Sequence, residues 1–522
     1  MPLTSMKAII TNDAAIQAKY GQPGATAINK AVKRLIAADQ ARSLSTVVFD
    51  IGDATQMAAI GAAAVLNEKD DRGAKLAVDA IHTAHTPDYI MLLDGPDVVP
   101  HVSLNRIPGV TDQDNTTDSD LPFASSAGFS RQASAYLAVT RVVGRLPAAR
   151  GETDETKLIG LIDDSIAHAT RPAAEFANYF SLTADKWKVS TQMSLGNVFG
   201  GHALLFASPT DGHTGIDASL SNAAHFINCH GASGDWRFYG ERLGVFPIAM
   251  ETPGFAPATV SKGAVVAAEC CYGAQLYDYL LSGQHPPLCL TYLWKGACAV
   301  MGSTNISYGP AASNGQADLM AQYFLQEILK GGSAGRALLQ ARQTFVQNQT
   351  MSGHLNLKTL AQFLLLGDPS LHPVAAPDSH AIAAVAADAD DAAPKVMPAT
   401  VTDAQSERKF RRIALYSEGK ALASSASKPG RRAKERSPAV ERFIAALREQ
   451  GFKGEPEVFT VTGGADFRAT AKAFNQPRQV AIVMDETKCT DESGRELFTS
   501  CRALVGHILG DGVFSIEECE SR

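Results

Sequence analysis

Two apolar runs that each end in a reactive side chain constrain this chain most strongly. Residues 264–268 form an apolar run that stops at an acid and the adjacent thiols of Cys270 and Cys271. Residues 224–229 form a second run, which stops at His230. Short apolar runs are typical of strands buried in a parallel sheet. Because the carboxyl ends of neighbouring parallel strands meet at one edge of a sheet, we expect the imidazole and a thiol to lie side by side.

A thiol beside an imidazole is the side-chain pair of nucleophilic catalysis by cysteine. A free thiol has a pKa of about 8.5 and needs a base to take its proton at neutral pH. Glycines follow both groups, Gly231 after the histidine and Gly273 after the cysteines, and can bring backbone N–H groups close to a bound carbonyl oxygen. The pattern predicts a Cys/His dyad with an oxyanion region around Gly231. A buried structural cysteine and a satisfied structural histidine are the alternatives.

Further segments occur in the order found in one family of cysteine peptidases. Residues 88–100 contain a strand pattern that ends in a Gly/Asp loop and a proline, and residues 141–147 contain Val-Gly-Arg. Residues 364–371 contain Gly-Asp-Pro after an apolar run, and Trp236 follows His230 by six positions. Together with the His-Gly and Cys-x-x-Gly sequences, these segments resemble the gingipain-like (C25-type) cysteine peptidases of the caspase-like clan.

The resemblance covers about residues 40–375 and implies a caspase-like fold and cysteine endopeptidase activity. The Cys-x-x-Gly spacing of the family selects Cys270 as the nucleophile, and we favour it. The shorter Cys-x-Gly spacing of caspases selects Cys271, its rival. His230 would transfer the proton, and backbone N–H groups near Gly231 would stabilise the oxyanion. This chemistry requires no metal and no organic cofactor.

The same resemblance indicates candidates for substrate binding. Asp118 or Asp120 lies in a segment similar to one near the gingipain active site and would meet a basic substrate side chain; turn formation and helix capping are the alternatives. Trp236 occupies a position where gingipain-like sequences often have tryptophan. Ser303 and Thr304 lie in the loop after the strand that follows the cysteines, and such a loop borders the same cleft unless it is an ordinary glycine-rich turn.

Three acidic residues near the predicted dyad are candidates for orienting the histidine or lining a pocket. Asp235 and Glu241 follow the histidine, and Glu269 directly precedes the cysteines. A carboxylate beside an imidazole can hold the ring in one orientation. For each of the three, a charge exposed to water is the alternative.

Composition limits the class of protein and its partners. The 522 residues are 45% hydrophobic, which is enough for large cores and for two to four domains. The net charge of −7 gives no reason to expect nucleic acid, and no apolar run reaches the roughly 18 residues of a membrane span. The eight cysteines lack paired metal-ligand spacing and favour a reducing compartment. The first residues lack the pattern of a secretion signal, which predicts a cytoplasmic and, by the clan resemblance, bacterial protein.

Alternating helix and strand patterns divide the chain into four parts. These are an N-terminal α/β subdomain at 1–150, a caspase-like catalytic subdomain at 151–374, an Ala/Asp/Pro-rich linker at 375–409 and a small C-terminal α/β module at 410–522. The fold class is therefore α/β, with mostly parallel sheets flanked by helices. Within these parts the patterns predict helices over 164–182 and 494–509.

The sequence thus predicts an intracellular cysteine endopeptidase that acts on a protein substrate. The clan resemblance suggests a defence or other regulated-proteolysis pathway, and the C-terminal module is a candidate for binding a regulatory partner. Two alternatives stay open, a non-catalytic caspase-like interaction protein and a Cys/His hydrolase of small amides or thioesters. The chain contains no cofactor fingerprint, which argues against the small-molecule hydrolase.

Overall fold

A computed structural model describes residues 5–211, 216–255, 260–375, 421, 430–461, 478–509 and 512–522. All but the first residue of the predicted linker at 375–409 lies outside these ranges. The strands are β1 Ser5–Thr11, β2 Leu44–Asp50, β3 Tyr89–Leu93, β4 Val102–Asn105, β5 Thr116–Ser119, β6 Val143–Leu146, β7 Tyr179–Ala184, β8 Leu205–Ser208, β9 Ala224–Asn228, β10 His230–Gly231, β11 Arg237–Tyr239, β12 Ile248–Glu251, β13 Val265–Ala268, β14 Ala299–Ser303, β15 Tyr308–Gly309, β16 Phe363–Leu366, β17 Arg431–Arg432, β18 Glu457–Val461, β19 Arg478–Thr490, β20 Glu496–Leu509 and β21 Gly512–Ser521.

Helices connect most of these strands. They are α1 Asp13–Ala41, α2 Ala54–Ala59, α3 Asp71–His85, α4 Glu155–Ala167, α5 Lys188–Phe199, α6 Ile216–Ser219, α7 Tyr279–Ser282, α8 Leu288–Trp294, α9 Gln316–Leu329, α10 Ala334–Asn348, α11 His354–Gln362 and α12 Pro438–Glu449. Within the described ranges, no helix combines the length and the apolar character that crossing a membrane requires.

A ten-stranded sheet forms the centre of the molecule. Its strand order is β2-β1-β3-β6-β16-β14-β13-β9-β7-β8. Neighbouring strands run parallel except for the antiparallel pair of β14 and β16. The pairing of Leu366 in β16 with Arg145 in β6 joins the predicted subdomains 1–150 and 151–374 in one continuous sheet. The predicted fold class, a mostly parallel sheet flanked by helices, is confirmed.

The central strands are short and apolar because both faces of the sheet are covered. Every residue of β3, β9 and β13 is buried. Strands β9 and β13 are neighbours, and their register pairs Ile227 with Ala268. His230 and Cys271 each follow by three residues, so both groups emerge at the same level of the carboxyl edge.

Two predicted helices are wrong, and in both cases strand pairing overrides local helical preference. The helix predicted over 164–182 ends at Ala167, and its last part belongs to β7, which pairs with β8 and β9. The helix predicted over 494–509 is β20, which pairs along its length with β19 and β21. Their apolar residues lie inside a sheet, where backbone groups are satisfied by neighbouring strands.

The C-terminal module is an antiparallel sheet that packs on the part of the chain that forms the ten-stranded sheet. We call that part, residues 5–375, the catalytic unit. The sheet order is β15-β21-β20-β19-β18-β17, so its edge strand β15 comes from the catalytic unit. Along β19, Ile482 and Met484 pack into the main core, while Ala481 and Val483 pack with helix α12. This alternation follows from the two-residue period of a strand and buries both faces of the module.

Candidate active site

His230 lies in a closed aromatic and acidic environment in β10, two residues after the end of β9. Its Nε2 donates a hydrogen bond to Glu241 Oε2 at 2.7 Å. The ring lies 4.3 Å from the Trp187 ring and 4.7 Å from the Phe498 ring, between centroids. Its Nδ1 is buried and has no hydrogen-bond partner among the described residues. This nitrogen is therefore free to accept a proton.

Burial keeps the His230 ring neutral. Removal from water lowers the pKa of His230, although the hydrogen bond and the charge of Glu241 oppose that effect. For Glu241, burial would raise the pKa, but the contacts with His230 and Lys186 hold it below its usual value. A neutral imidazole beside an ionised carboxylate is the arrangement of an oriented general base.

The two adjacent thiols point in different directions. Cys270 Sγ lies 3.4 Å from the backbone nitrogen of Cys229, between the ends of β9 and β13. Cys271 Sγ accepts a hydrogen bond from the backbone N–H of Ser307 at 3.2 Å. Burial raises the pKa of Cys270 well above its usual value and that of Cys271 to about 12, so both thiols are protonated in this state.

The residues after β13 that carry Cys270 and Cys271 form a turn, which we call the cysteine turn. The loop after β14 holds this turn in place. Ala274 donates its backbone N–H to the Ser303 carbonyl at 2.8 Å, and Tyr272 donates to the Asn305 carbonyl at 3.0 Å. Tyr272 has φ +56°, a left-handed conformation that side chains other than glycine rarely adopt. A strained residue directly after Cys271 is typical of a functional turn, where surrounding contacts maintain the conformation.

Arg522 places its main-chain oxygen between the histidine and cysteine turns. This oxygen accepts hydrogen bonds from the backbone N–H groups of Gly231 at 3.4 Å and Cys271 at 3.2 Å. The Arg522 N–H donates to the Ser307 carbonyl at 3.0 Å. A Cβ at position 231 would lie 1.9 Å from the Cys271 carbonyl oxygen, so only glycine fits there. Two converging N–H donors form the geometry of an oxyanion hole.

The side chain of Arg522 fills a buried pocket. Its Nη2 donates to both carboxylate oxygens of Asp318 at 2.8 Å and to the Pro310 carbonyl at 3.0 Å. The guanidinium lies 4.7 Å from the centre of the Trp187 ring. A Cβ at position 309 would approach Nη2 to 2.2 Å, so Gly309 leaves the room that the arginine takes. We call Trp187, Gly309, Pro310 and Asp318 the arginine pocket.

Glu269 lies behind the arginine pocket and is fully buried. Burial first, and then the charge of Asp318, raise the pKa of Glu269 well above its usual value. Burial also raises the pKa of Asp318, and the charge of Arg522 opposes that effect. Asp318 is the acid whose carboxylate oxygens contact the guanidinium, so it is the group whose ionised form the cation stabilises.

Asp118 and Thr304 lie in a different cavity from the arginine pocket. Thr304 Oγ1 donates to the Asp118 carbonyl at 2.6 Å, and both residues line a cavity of about 320 Å³ together with His101 and Gln275. Gln275 lies four residues after Cys271, and its side chain accepts a hydrogen bond from the Gly234 N–H at 2.7 Å. The cavity therefore borders the cysteine and histidine turns.

Asp120 and Ser303 are committed to internal contacts. Asp120 is buried and bonds to Arg145 Nη2 at 2.7 Å and to His101 Nδ1 at 2.8 Å. Burial would raise the pKa of Asp120, but the charges of Arg145 and His101 lower it well below its usual value. Ser303 Oγ donates to the Asn305 carbonyl at 2.8 Å and shapes the loop that holds the cysteine turn.

Trp236 lies on the loop that follows the histidine. Its Nε1 donates to Gln284 at 3.0 Å, and its ring stacks against the Arg237 guanidinium at 4.6 Å. Asp235 pairs with Arg237 at 2.8 Å and accepts a hydrogen bond from the Tyr239 hydroxyl at 2.7 Å. Of the three acids considered as orienting or pocket groups, Glu241 contacts the histidine and Glu269 lies behind the pocket. In the part of the chain that the structure describes, no three His, Cys, Asp or Glu side chains converge as a metal site.

Sequence reasoning missed Asp318, Trp187 and Arg522. Asp318 is the third residue of α9, where an acid is typical of helix capping, so its position carries no separate signal. It lies 204 positions before Arg522 in the chain. A contact over that distance has no local sequence pattern, and only an alignment of many relatives would show it as a correlated pair.

Comparisons with known proteins bear on the family and the fold of this chain. The model of peptidase family C25 matches residues 4–374. The crystal structure of the Arg-specific cysteine proteinase gingipain R has a TM-score of 0.51 and 10% identity, and the match covers 99% of this chain and 98% of that one. This likeness shows a shared fold.

Two further solved structures match less well. One, described only as a protease, has a TM-score of 0.44 and 13% identity, with 99% of this chain and 97% of that one covered. The separase of Saccharomyces cerevisiae, in complex with securin, has a TM-score of 0.29 and 14% identity, with 44% and 14% covered. Among curated protein sequences, none matches this chain.

Proposed function

Because this chain belongs to peptidase family C25 and is a cysteine peptidase of the caspase-like clan, we propose that it cleaves peptide bonds after arginine, with Cys271 as nucleophile and His230 as general base. One observation carries the proposal. The main-chain oxygen of Arg522 contacts the N–H groups of Gly231 and Cys271 while its guanidinium bonds to Asp318. These are the contacts that the arginine of a substrate needs.

In the proposed reaction, His230 and Cys271 act in turn. Nδ1 of His230 takes the proton of Cys271, and the sulfur adds to the carbonyl carbon after the substrate arginine. The carbonyl oxygen becomes negative and is stabilised by the N–H groups of Gly231 and Cys271. His230 then gives its proton to the leaving amine as the C–N bond breaks, which leaves a thioester. Water, deprotonated by His230, releases the new carboxyl group and restores the thiol.

Backbone geometry favours Cys271 over the Cys270 that the spacing favoured. The Cys271 N–H is one of the two donors to the Arg522 oxygen, and its thiol lies beside Ser307, whose carbonyl accepts from the Arg522 N–H. Cys270 points back between the strand ends toward Cys229. A nucleophile must reach the carbonyl carbon whose oxygen lies in the oxyanion hole, which supports Cys271.

Specificity for arginine rests on Asp318 in this proposal. A planar guanidinium can donate to both carboxylate oxygens and stack on an indole ring, as Arg522 does with Asp318 and Trp187. Asp120 is already paired with Arg145, and Asp118 lines the separate cavity near Gln275. We therefore assign the basic-residue preference to Asp318. Asp118 and Thr304 are proposed to contact other parts of the substrate.

The test compares matched variants and matched peptides. Cys271→Ala and His230→Ala should each lower kcat/KM for an arginine peptide by on the order of 10³-fold or more, because a catalytic dyad acts as a unit. Cys270→Ala is the matched control and should retain activity. The arginine peptide is compared with a citrulline peptide, which has the same shape without the charge. An active Cys271→Ala variant would sink the assignment of the nucleophile, and equal cleavage of both peptides would remove the pocket.

The cytoplasmic location, the bacterial source, the role in regulated proteolysis and the regulatory partner of the C-terminal module remain predictions within this proposal. They come from the clan resemblance and from the eight cysteines, which favour a reducing compartment. Fractionation of cells that produce the protein, followed by immunoblotting, tests the location. Recovery of the protein only from a secreted or membrane fraction would contradict it.

A further inference from the structure

Strand β21 occupies an edge where an extended peptide would bind. It pairs with β20 on one side, and on the other Ser521 and Glu520 pair antiparallel with Tyr308 and Gly309 of β15. The next residue, Arg522, enters the arginine pocket. Addition of an extended segment to an exposed strand edge, with side chains in separate pockets, is a common mode of peptide recognition.

Contacts continue along the strand before the arginine. Glu520 forms an ion pair with Lys186 at 2.8 Å, and Lys186 also lies 3.3 Å from Glu241, the partner of His230. Cys519 Sγ donates to the Gln316 side chain at 3.4 Å. Three of the last four residues thus use polar groups of the catalytic unit, and Ser521 uses its own module through the Cys501 N–H at 2.8 Å.

The same module covers the catalytic groups. Phe498 of β20 stacks on the His230 ring, and Phe246 packs against Phe498 at 5.2 Å. Only 1% of His230 and 3% of Cys271 are exposed. A peptide substrate therefore cannot reach the thiol while β20 and β21 stay in place.

We propose that β21 with Arg522 is a built-in substrate mimic that closes the cleft of this peptidase; the proposal rests on the function proposed above. The strand and Arg522 together occupy the oxyanion hole, the arginine pocket and the edge of β15. A segment tethered to the enzyme competes at an effective concentration of about millimolar, so a free peptide with similar contacts binds poorly until the strand leaves. The sequence of the strand also predicts the preferred sequence of a substrate, which has arginine before the cleaved bond and an acidic residue two positions before that arginine.

The first experiment weakens the strand without changing the catalytic groups. Arg522→Ala empties the arginine pocket, and Arg502→Ala is its matched control, since Arg502 pairs with Glu518 on the exposed face of the same sheet. We expect Arg522→Ala to raise kcat/KM for an arginine peptide by on the order of tenfold or more, because a charge-assisted contact is lost only from the closed state. The Arg502→Ala variant should match the wild type.

A second variant keeps Arg522 and weakens the contact of β21 at Glu520 instead. Glu520→Lys faces Lys186 with a like charge and should also raise activity, while Glu518→Lys, on the exposed face, should not. Melting temperatures of all four variants establish that they are folded. If Arg522→Ala unfolds, Glu520→Lys still decides the question.

Alkylation of the thiols separates this proposal from the proposed function. Iodoacetamide modification is followed by mass mapping, with the half-buried Cys298 as an internal reference. We expect Cys271 to react at least several-fold faster in Arg522→Ala and Glu520→Lys than in the wild type. Equal rates in all three proteins would overturn the mimic, whatever their activity. If the variants react faster but no protein cleaves arginine peptides, the mimic stands as a cover of the cleft and the proposed arginine peptidase activity fails.

Discussion

Two buried arginines in this protein, Arg145 and Arg522, each pair with an aspartate. They differ in how many of their guanidinium nitrogens have a hydrogen-bond partner. Arg145 donates to both Asp120 oxygens and, through Nη1, to the Asp94 and Val99 carbonyls. Arg522 uses only Nη2, and its Nε and Nη1 have no hydrogen-bond partner among the described residues. The first pair is satisfied and belongs to the fold. The second has the incomplete contacts expected where one arginine replaces another.

Asp120→Asn should have the largest effect, because it leaves Arg145 charged and buried without its counter-ion. We expect a loss of about 3–5 kcal/mol in the free energy of unfolding, measured by urea denaturation. The matched control is Asp163→Asn, since Asp163 forms an exposed ion pair with Arg34 and should cost less than about 1 kcal/mol. Equal losses in the two variants would contradict the structural role of the Asp120 pair.

Asp318→Asn should lower specificity more than stability, because its arginine can move out of the pocket. We expect the preference for an arginine over a citrulline peptide to fall by on the order of tenfold to a hundredfold. Glu327→Gln is the control and should keep the preference, because Glu327 is a half-buried acid on the same helix α9 that pairs with the exposed Lys330. An unchanged preference in Asp318→Asn would remove this residue from the pocket.

Lys186→Ala tests the contact beside the arginine pocket. The side chain of Lys186 is 31% exposed, so its pairing with an acidic side chain is partly screened by water. We expect the preference for Glu over Gln two positions before the arginine to fall about two- to fivefold. The ratio of the two peptides is measured within each protein, which cancels any effect of Lys186 on Glu241 and His230. A constant ratio would rule out this subsite.

The smallest effect concerns pH and the closed histidine. Burial lowers the pKa of His230 below its unfolded value of about 6.5, so the unfolded state binds the proton more readily and stability falls as pH drops below that value. Glu241 has a lowered pKa and loses its own contribution only at more acidic pH. Burial also lowers the pKa of His225 and His354, so these two residues contribute to the loss of stability over the same pH range. We expect the loss between pH 7 and 5.5, followed by melting temperature, to be smaller in His230→Gln than in the wild type by less than about 1 kcal/mol.

Much of the sheet around His230 and the two cysteines was predictable from local pattern. The apolar runs before His230 and before the cysteines are the neighbouring strands β9 and β13, because fully buried parallel strands read as continuous apolar segments. The errors came where a pattern fits two structures. Residues 179–184 and 496–509 carry apolar residues that suit a helix or a strand, and pairing with neighbours decided in favour of the strand.

The proposed choice between the two thiols depends on side-chain direction as well as on spacing. Sequence distance to glycine selects Cys270, but the direction of each side chain depends on the backbone at the end of β13 and on the left-handed Tyr272. Successive residues in an extended backbone point to opposite sides, so a shift by one position moves the sulfur to the other face. The structure points one thiol toward Cys229 and the other toward Ser307.

The sequence by itself determined the chemical groups and the strands that carry them, since strand-forming runs and the glycine beside His230 are local properties of the chain. Tertiary structure alone decided what those groups face. Asp318, Trp187 and Arg522 come from three distant parts of the chain. Bringing them together lowers the conformational entropy of the chain, and the packing of the two sheets and helix α9 offsets that loss. Position along the chain carries no record of that packing, and for that reason the arginine pocket appears only in the folded molecule.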